Sequence, residues 1–267
     1  MRQRDRSKAP RRQAIGRLLD RAEIEQFHKD GFLFVDRPVL DLHDVVEVRR
    51  VADHLFALWD DIPRRLAPDA PEGAPPVLEI KYSMALAPQL RQVGLFAAFR
   101  RLAGELLGAK HTWCHFDHLI YKHPGGDAIA WHQDLAASRT GLFKNSVHFW
   151  IPLQDVTTTD GSLMFVPGSH NDGLLAHVAQ HRVGGVQLKV DRVPDHLDYV
   201  TKTLPSGGFS VHTPRTLHAS GANLGAALRR AWILQFGVGP ACGARAALIK
   251  GSSLMLAKPR ANAPSKR

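Results

Sequence analysis

The 267-residue chain has only two cysteines, Cys114 and Cys242, far apart and with no CxxC spacing around either. That scarcity excludes a disulfide-stapled scaffold and a cysteine-ligated zinc finger, and it is the cysteine usage expected of a reducing, cytoplasmic protein. No window approaches the roughly 18 uncharged apolar residues that a membrane span needs. Arg2, Arg4, Arg6 and Lys8 precede no apolar stretch of the kind found in a secretory signal. A soluble chain with no membrane partner is therefore the expectation. Internal repeats and a phosphate-binding glycine loop are missing as well, and the composition, with 44% apolar residues, is neither collagen-like nor that of a wholly disordered chain.

Positive charge is in excess, at a formal +10. A polyanion such as nucleic acid would be the usual partner, so the position of the charge matters more than its sum. Eleven of the 35 basic residues and one of the 25 acidic ones lie in residues 1–17 and 258–267, which leaves 18–257 formally neutral. The two ends lack apolar periodicity and are expected to be basic disordered tails around a single domain over 18–257. A folded nucleic-acid platform is disfavoured, because a binding face needs clustered charge on ordered elements; only the tails offer such a partner a foothold.

Along the body, Leu18–Asp30 and Asp41–Asp60 have helical spacing, separated by a short apolar strand, Phe32–Val35. Five prolines within 63–76 mark a loop, and a third helix is expected over Pro88–Leu107, closed by Gly108. From about residue 110 to 240 the texture changes to short β-like runs: Thr112–Lys122, Ser146–Leu153, Ser162–Val166, Val186–Val190, Gly208–His212, Leu217–Ser220 and Arg229–Val238. Helices first and strands afterwards predict a mainly β domain with flanking α, a double-stranded β-helix (jelly roll) buttressed by N-terminal helices over about 18–108. The 171–205 connection has mixed signals and the length of a lid or substrate loop.

Of fifteen histidines, the informative one is His132. In Trp131-His132-Gln133-Asp134 a histidine and an aspartate lie two apart at a strand end, so their side chains can share one ion. A third ligand is available from Phe209–Ser220, where both His212 and His218 are candidates. Two imidazoles and one carboxylate with open positions describe a non-haem Fe(II) oxygenase centre rather than a closed zinc site. The open positions suit a bidentate 2-oxo acid and dioxygen. A distal carboxylate on that cosubstrate calls for a fixed arginine, and Arg229 and Arg230 lie eleven and twelve residues beyond His218. Neighbours on a strand point to opposite faces, so one of the two serves.

These blocks occur in the order found in the phytanoyl-CoA hydroxylase family of Fe(II)/2-oxoglutarate dioxygenases, which the chain resembles. They are Trp131–Asp134, His148–Val156 with Asp160–Leu163 and Val166–His170, and Leu217–Asn223 with Arg229–Ala231. Phe27–Leu33 is similar to the family's opening helix and strand. The resemblance spans roughly 19–238 and implies His132, Asp134 and His218 as iron ligands. It implies Arg229 and Ser220 as partners of the distal 2-oxoglutarate carboxylate, Trp150 as an aromatic packed on the cosubstrate, and Lys81 and His118 as further contacts. The implied activity uses Fe(II), 2-oxoglutarate and O2 to hydroxylate a small-molecule substrate, releasing succinate and CO2. Halogenating relatives replace the carboxylate with a small residue, so Asp134 favours hydroxylation. The alternative reading is a non-catalytic or differently metallated jelly-roll binding protein. Leu135–Asn145 and 171–205 are the expected specificity elements.

Overall fold

The computed structural model describes residues 18–64, 66–67, 77–137, 144–182, 185–193 and 196–238. The two basic ends, Cys242 and most of the proline-rich 63–76 stretch lie outside the described residues.

The first helix, α1 (Arg21–Asp30), starts later than its apolar spacing suggests because Asp20 caps it. The Asp20 carboxylate accepts from Glu23 N at 2.9 Å and the Glu23 carboxylate accepts from Asp20 N at 2.9 Å, a reciprocal box that fixes the first turn. Gly31 ends the helix at φ 83°, where a Cβ would also collide with the His170 ring. After strand β1 (Phe32–Val35), α2 (Leu42–Ala57) buries Val45, Val48, Val51, Ala52 and Leu55 along one stripe.

The expected helix over Pro88–Leu107 is interrupted. A 3-10 turn (Pro88–Gln92) gives way at the extended Val93 to an α-helix over Gly94–Leu107; between α2 and it lie β2 (Val77–Lys81) and the short α3 (Ser83–Leu86), so it is α4. Leu90 and Leu95 are both fully buried. On one continuous helix, side chains five apart would point about 140° from each other, so the break lets both face the core. The Asp44 carboxylate of α2 accepts from Leu95 N at 3.1 Å and supplies the missing cap.

The strands that follow are β3 (Trp113–Lys122), β4 (Ile129–His132), β5 (Ser146–Pro152), β6 (Leu163–Phe165), β7 (His177–Arg182), β8 (Gly185–Val190), β9 (Val200–Thr201), β10 (Phe209–His212), β11 (His218–Ser220) and β12 (Arg229–Gly237). They form antiparallel sheets, a six-stranded one ordered β1-β10-β5-β12-β3-β2 and a four-stranded one ordered β4-β11-β6-β9, with β7-β8 as a separate hairpin. This is a jelly-roll core with helices on one side. The main apolar cluster, including Phe99, Leu102, Leu106, Phe149, Phe209, Trp232 and Phe236, lies between the helices and the outer face of the larger sheet. A smaller cluster of Phe32, Phe34, Trp150, Phe165, Ala231 and Ile233 lies between the two sheets.

Three strands differ from the expectation. β2 escapes notice because it follows the prolines, although Leu78 and Ile80 alternate with Glu79 and Lys81. The 171–205 connection contains, besides β8, which matches the expected Val186–Val190, the strands β7 and β9. None of the described side chains of β7, His177 to Gln180, is fully buried, so no alternation marks it.

Candidate metal centre

Register brings the candidate ligands together. His218 of β11 stands opposite His132 of β4 in the smaller sheet, and His212 of β10 opposite His148 of β5 in the larger one. Asp134 lies between these two cross-strand pairs. β4 ends at His132 and Asp134 opens a 3-10 turn (Asp134–Ala137), so it is this turn, not strand alternation, that aims the carboxylate beside the His132 ring.

His132 Nδ1 donates to Ala130 O at 2.8 Å and His218 Nδ1 donates to Thr216 O at 2.9 Å. In both, a carbonyl two residues earlier fixes the tautomer and leaves Nε2 with its lone pair turned toward Asp134. His132 Nε2 is 3.4 Å from Asp134 Oδ1, and His218 Nε2 is 3.8 Å from Oδ2. His132, Asp134 and His218 each offer a ligand atom, all within 4.8 Å of one another. A second set with the same property, Asp134, His148 and His212, shares the carboxylate. His212 Nε2 is 3.2 Å from Asp134 Oδ2, but its Nδ1 is buried with no hydrogen-bond partner among the described residues, so no carbonyl orients this ring as it does His132 and His218.

The imidazoles set the electrostatics. Burial works to raise the Asp134 carboxyl, but His218 and His148 more than offset it and hold the group well below the usual carboxylate range. Burial, reinforced by the neighbouring His132, pushes His218 well down. For His132 the pull of burial is outweighed by the Asp134 carboxylate, and the ring is raised. A low carboxyl and a neutral His218 are the protonation states that a divalent cation requires of its ligands.

Arg229 is the first residue of β12 and is 2% exposed. Its guanidinium carbon is 5.4 Å from the Trp150 ring centre, and burial pulls it down to about 10. Nε and Nη1 have no hydrogen-bond partner among the described residues. A buried guanidinium with donors unmatched by protein is chemically suited to a ligand carboxylate. Its neighbour Arg230 points the other way, with Nε 2.8 Å from Asp53 Oδ1 of α2 and its guanidinium over the Tyr121 ring.

Ser220 is buried in β11, two residues beyond His218, and its hydroxyl accepts from Lys122 Nζ at 2.8 Å. Trp150 is 3% exposed and packs among the inter-sheet residues. His118 and Lys81 face each other across β3 and β2, joined through Glu79: His118 Nδ1 is 2.5 Å from one carboxylate oxygen and Lys81 Nζ is 3.7 Å from the other. They lie next to each other, whereas Arg229 stands opposite Lys122.

Sequence reasoning missed Lys122, His148, Ser146 and the role of Gln133. Lys122 is fully buried, donates also to Gly221 O at 2.6 Å, and has its stem against Gly161, where a Cβ would come within 3.1 Å. A lysine closing the apolar run Leu119-Ile120-Tyr121 was the available signal. Gln133 Nε2 donates to Gly173 O at 2.8 Å and Arg215 O at 2.6 Å, and its Oε1 accepts from Leu175 N at 2.8 Å. Its backbone N donates to His177 Nε2 at 3.0 Å, so His177 docks the start of the hairpin on the His132–Asp134 loop.

A family model described as Phytanoyl-CoA dioxygenase (PhyH) matches residues 27–231. A phytanoyl-CoA dioxygenase domain-containing protein 1 from Danio rerio is 30% identical over 118 residues, 42% of this chain and 40% of that protein, so the matched region spans about two fifths of that relative's length. Among solved structures, EvdO2 from Micromonospora carbonacea var. aurantiaca complexed with 2-oxoglutarate has a TM-score of 0.67 at 26% identity, covering 83% of this chain and 91% of that one. The epimerase SnoN from nogalamycin biosynthesis, in complex with Fe3+, alpha ketoglutarate and nogalamycin RO, shares the fold with a TM-score of 0.66 at 21% identity, covering 92% of each chain.

Proposed function

The chain belongs to the phytanoyl-CoA dioxygenase family, and from that premise we propose that it is an Fe(II)- and 2-oxoglutarate-dependent oxygenase that hydroxylates a small molecule. The observation that carries the reading is the buried Arg229 guanidinium, with Nε and Nη1 unmatched among the described residues, over Trp150 of the inter-sheet cluster whose Phe165 packs against His218 of the donor set. Two imidazoles and one carboxylate fit an iron(II) ion that keeps open positions. When bound, iron supplies the dioxygen activation that couples decarboxylation of 2-oxoglutarate to substrate oxidation. The balance is one O2, one 2-oxoglutarate and one C–H bond consumed, with succinate, CO2 and one C–OH formed.

The chain's own residues bind and orient. His132 and His218, held by their backbone carbonyls, present Nε2 to the ion, and Asp134 neutralises part of its charge. Arg229 holds the distal carboxylate of 2-oxoglutarate, and Ser220, already accepting from Lys122, keeps its own hydroxyl hydrogen for the same group. Trp150 covers the cosubstrate beside Arg229 and keeps water from that end. Lys81 and His118, tied to each other through Glu79, are the further cosubstrate contacts. The segment docked by Gln133 and His177 borders the substrate; most of the expected Leu135–Asn145 element lies outside the described residues. Reaction outcome stays tied to the substrate, since a related fold serves an epimerase.

The experiment is anaerobic titration of the metal-free protein with Fe(II) and then 2-oxoglutarate, followed by aerobic succinate assay across a metabolite panel. A visible charge-transfer band and substrate-stimulated succinate release are expected. Protein that binds neither iron nor 2-oxoglutarate overturns the proposal in favour of a plain jelly-roll binding protein.

A further inference from the structure

The second histidine pair is not used by the proposed chemistry, although it is more deeply buried than His132. The ring nitrogen His148 Nδ1 is 2.6 Å from Asp134 Oδ2, and the His148 side chain is 3% exposed. On the other side of the ring, Nε2 is 3.2 Å from Ser146 Oγ, and Ser146 is 2% exposed. A carboxylate only accepts, so Nδ1 carries the proton of this short bond. Ser146 Oγ at Nε2 completes a chain, Ser146 to His148 to Asp134, that runs along β5 and ends on one carboxylate oxygen.

The two oxygens of Asp134 thus have different company. Oδ2 takes His148 at 2.6 Å and His212 at 3.2 Å, both from the larger sheet and both closer to it than His218 Nε2 at 3.8 Å, whereas Oδ1 faces only His132 Nε2, at 3.4 Å, among the described ion-pair partners. We propose that His148, supported by Ser146, is a positioning residue: it occupies Oδ2 and so presents Asp134 to the metal through Oδ1 alone. The inference rests on the metal-binding reading above. A carboxylate bound through one oxygen takes up one position on the ion and leaves the others for cosubstrate and dioxygen; a carboxylate free to turn would bind through both and consume one of them. It also assigns the alternative donor set, Asp134 with His148 and His212, as a hydrogen-bonded support and not as a second cation site.

The amide of asparagine puts its nitrogen where histidine has Nδ1, and the amide of glutamine puts its nitrogen where histidine has Nε2. His148→Asn therefore keeps the donor to Asp134, while His148→Gln and His148→Leu lose it. Metal affinity of the full chain is measured with Co(II) in air and Fe(II) under argon, by competition with a chelator, alongside thermal melting and the Co(II) absorption spectrum. Loss of a hydrogen-bonded support of this type weakens metal binding by about 10–100-fold. That loss is expected for His148→Gln and His148→Leu with a changed Co(II) spectrum, and wild-type spectrum and near wild-type affinity for His148→Asn. Equal affinity in wild type and His148→Leu overturns the assignment, as does equal weakening in all three variants, which would mark a packing role only. Two metal ions per wild-type chain also overturns it, by making His148 a ligand. Wild-type protein that binds no metal overturns instead the functional reading on which the assignment rests.

Discussion

The larger sheet has two faces made from the same strands. Toward the helices it presents Val147, Phe149 and Ile151 from β5, Trp232, Leu234 and Phe236 from β12, and Phe209 and Val211 from β10. Toward the smaller sheet the alternate residues include Ser146, His148, Ser210, His212 and Arg229, all nearly inaccessible to solvent. Period-two alternation lets one stretch of chain serve cohesion on one side and chemistry on the other. The difference also shows in partners. The helix-side face is closed by ring packing, such as Phe99 against Phe149 at 4.6 Å and Phe209 at 5.1 Å, whereas the inner face buries polar groups that need hydrogen bonds or a ligand.

That division predicts that inner-face changes remove binding and spare stability, and that helix-side changes do the reverse. The largest effect is expected from Asp134→Ala: metal binding and 2-oxoglutarate-dependent succinate formation fall below detection while the circular dichroism spectrum stays native. Succinate formation at the wild-type rate would break the comparison at its centre. Phe99→Ala lies on the other side of the sheet and should cost about 3–5 kcal/mol in urea unfolding. Its folded fraction should still give the Fe(II)/2-oxoglutarate band, and loss of that band in folded protein would show that the two faces are not separable. Arg229→Gln returns to the inner face. It should weaken 2-oxoglutarate binding by about 10–100-fold, the scale of lost hydrogen bonds to a charged group, without altering metal affinity measured in the absence of cosubstrate.

The division was partly legible in the sequence. The β-like runs Arg229–Val238 and Ser146–Leu153 give the central strands, the His132–Asp134 spacing with a late-strand histidine gives the kind of donor set, and the family resemblance points to His218 as its third member, one of the groupings that the structure brings together. β2 and β7 were missed for different reasons, one masked by the prolines before it and the other with no fully buried side chain among its described residues to leave a pattern. His148 could not be read as a support for Asp134, because that role depends on β5 and β10 pairing in the larger sheet while Asp134 comes from the loop after β4 in the smaller one. Long-range register of this kind leaves no local period. Lys122 was hidden likewise, its partners Ser220 and Gly221 lying almost a hundred residues downstream.

The smallest effect sharpens the comparison most, because it concerns adjacent residues. Arg230 faces α2, donates from Nε to Asp53 Oδ1 at 2.8 Å, and lies with its guanidinium 5.3 Å from the Tyr121 ring centre, whereas Arg229 faces inward. The Arg230 and Asp53 side chains are 19% and 43% exposed, so water screens the pair and Arg230→Gln should cost no more than about 1 kcal/mol in urea unfolding. Binding of 2-oxoglutarate should be unchanged, because a strand residue reaches only its own side of the sheet. The two substitutions differ by one position and remove the same charge, so long-range electrostatics affects both alike and only side-chain direction separates them. A greater loss of 2-oxoglutarate affinity in Arg230→Gln than in Arg229→Gln would mean that β12 is shifted by one residue, and with it the assignment of every side chain to its face.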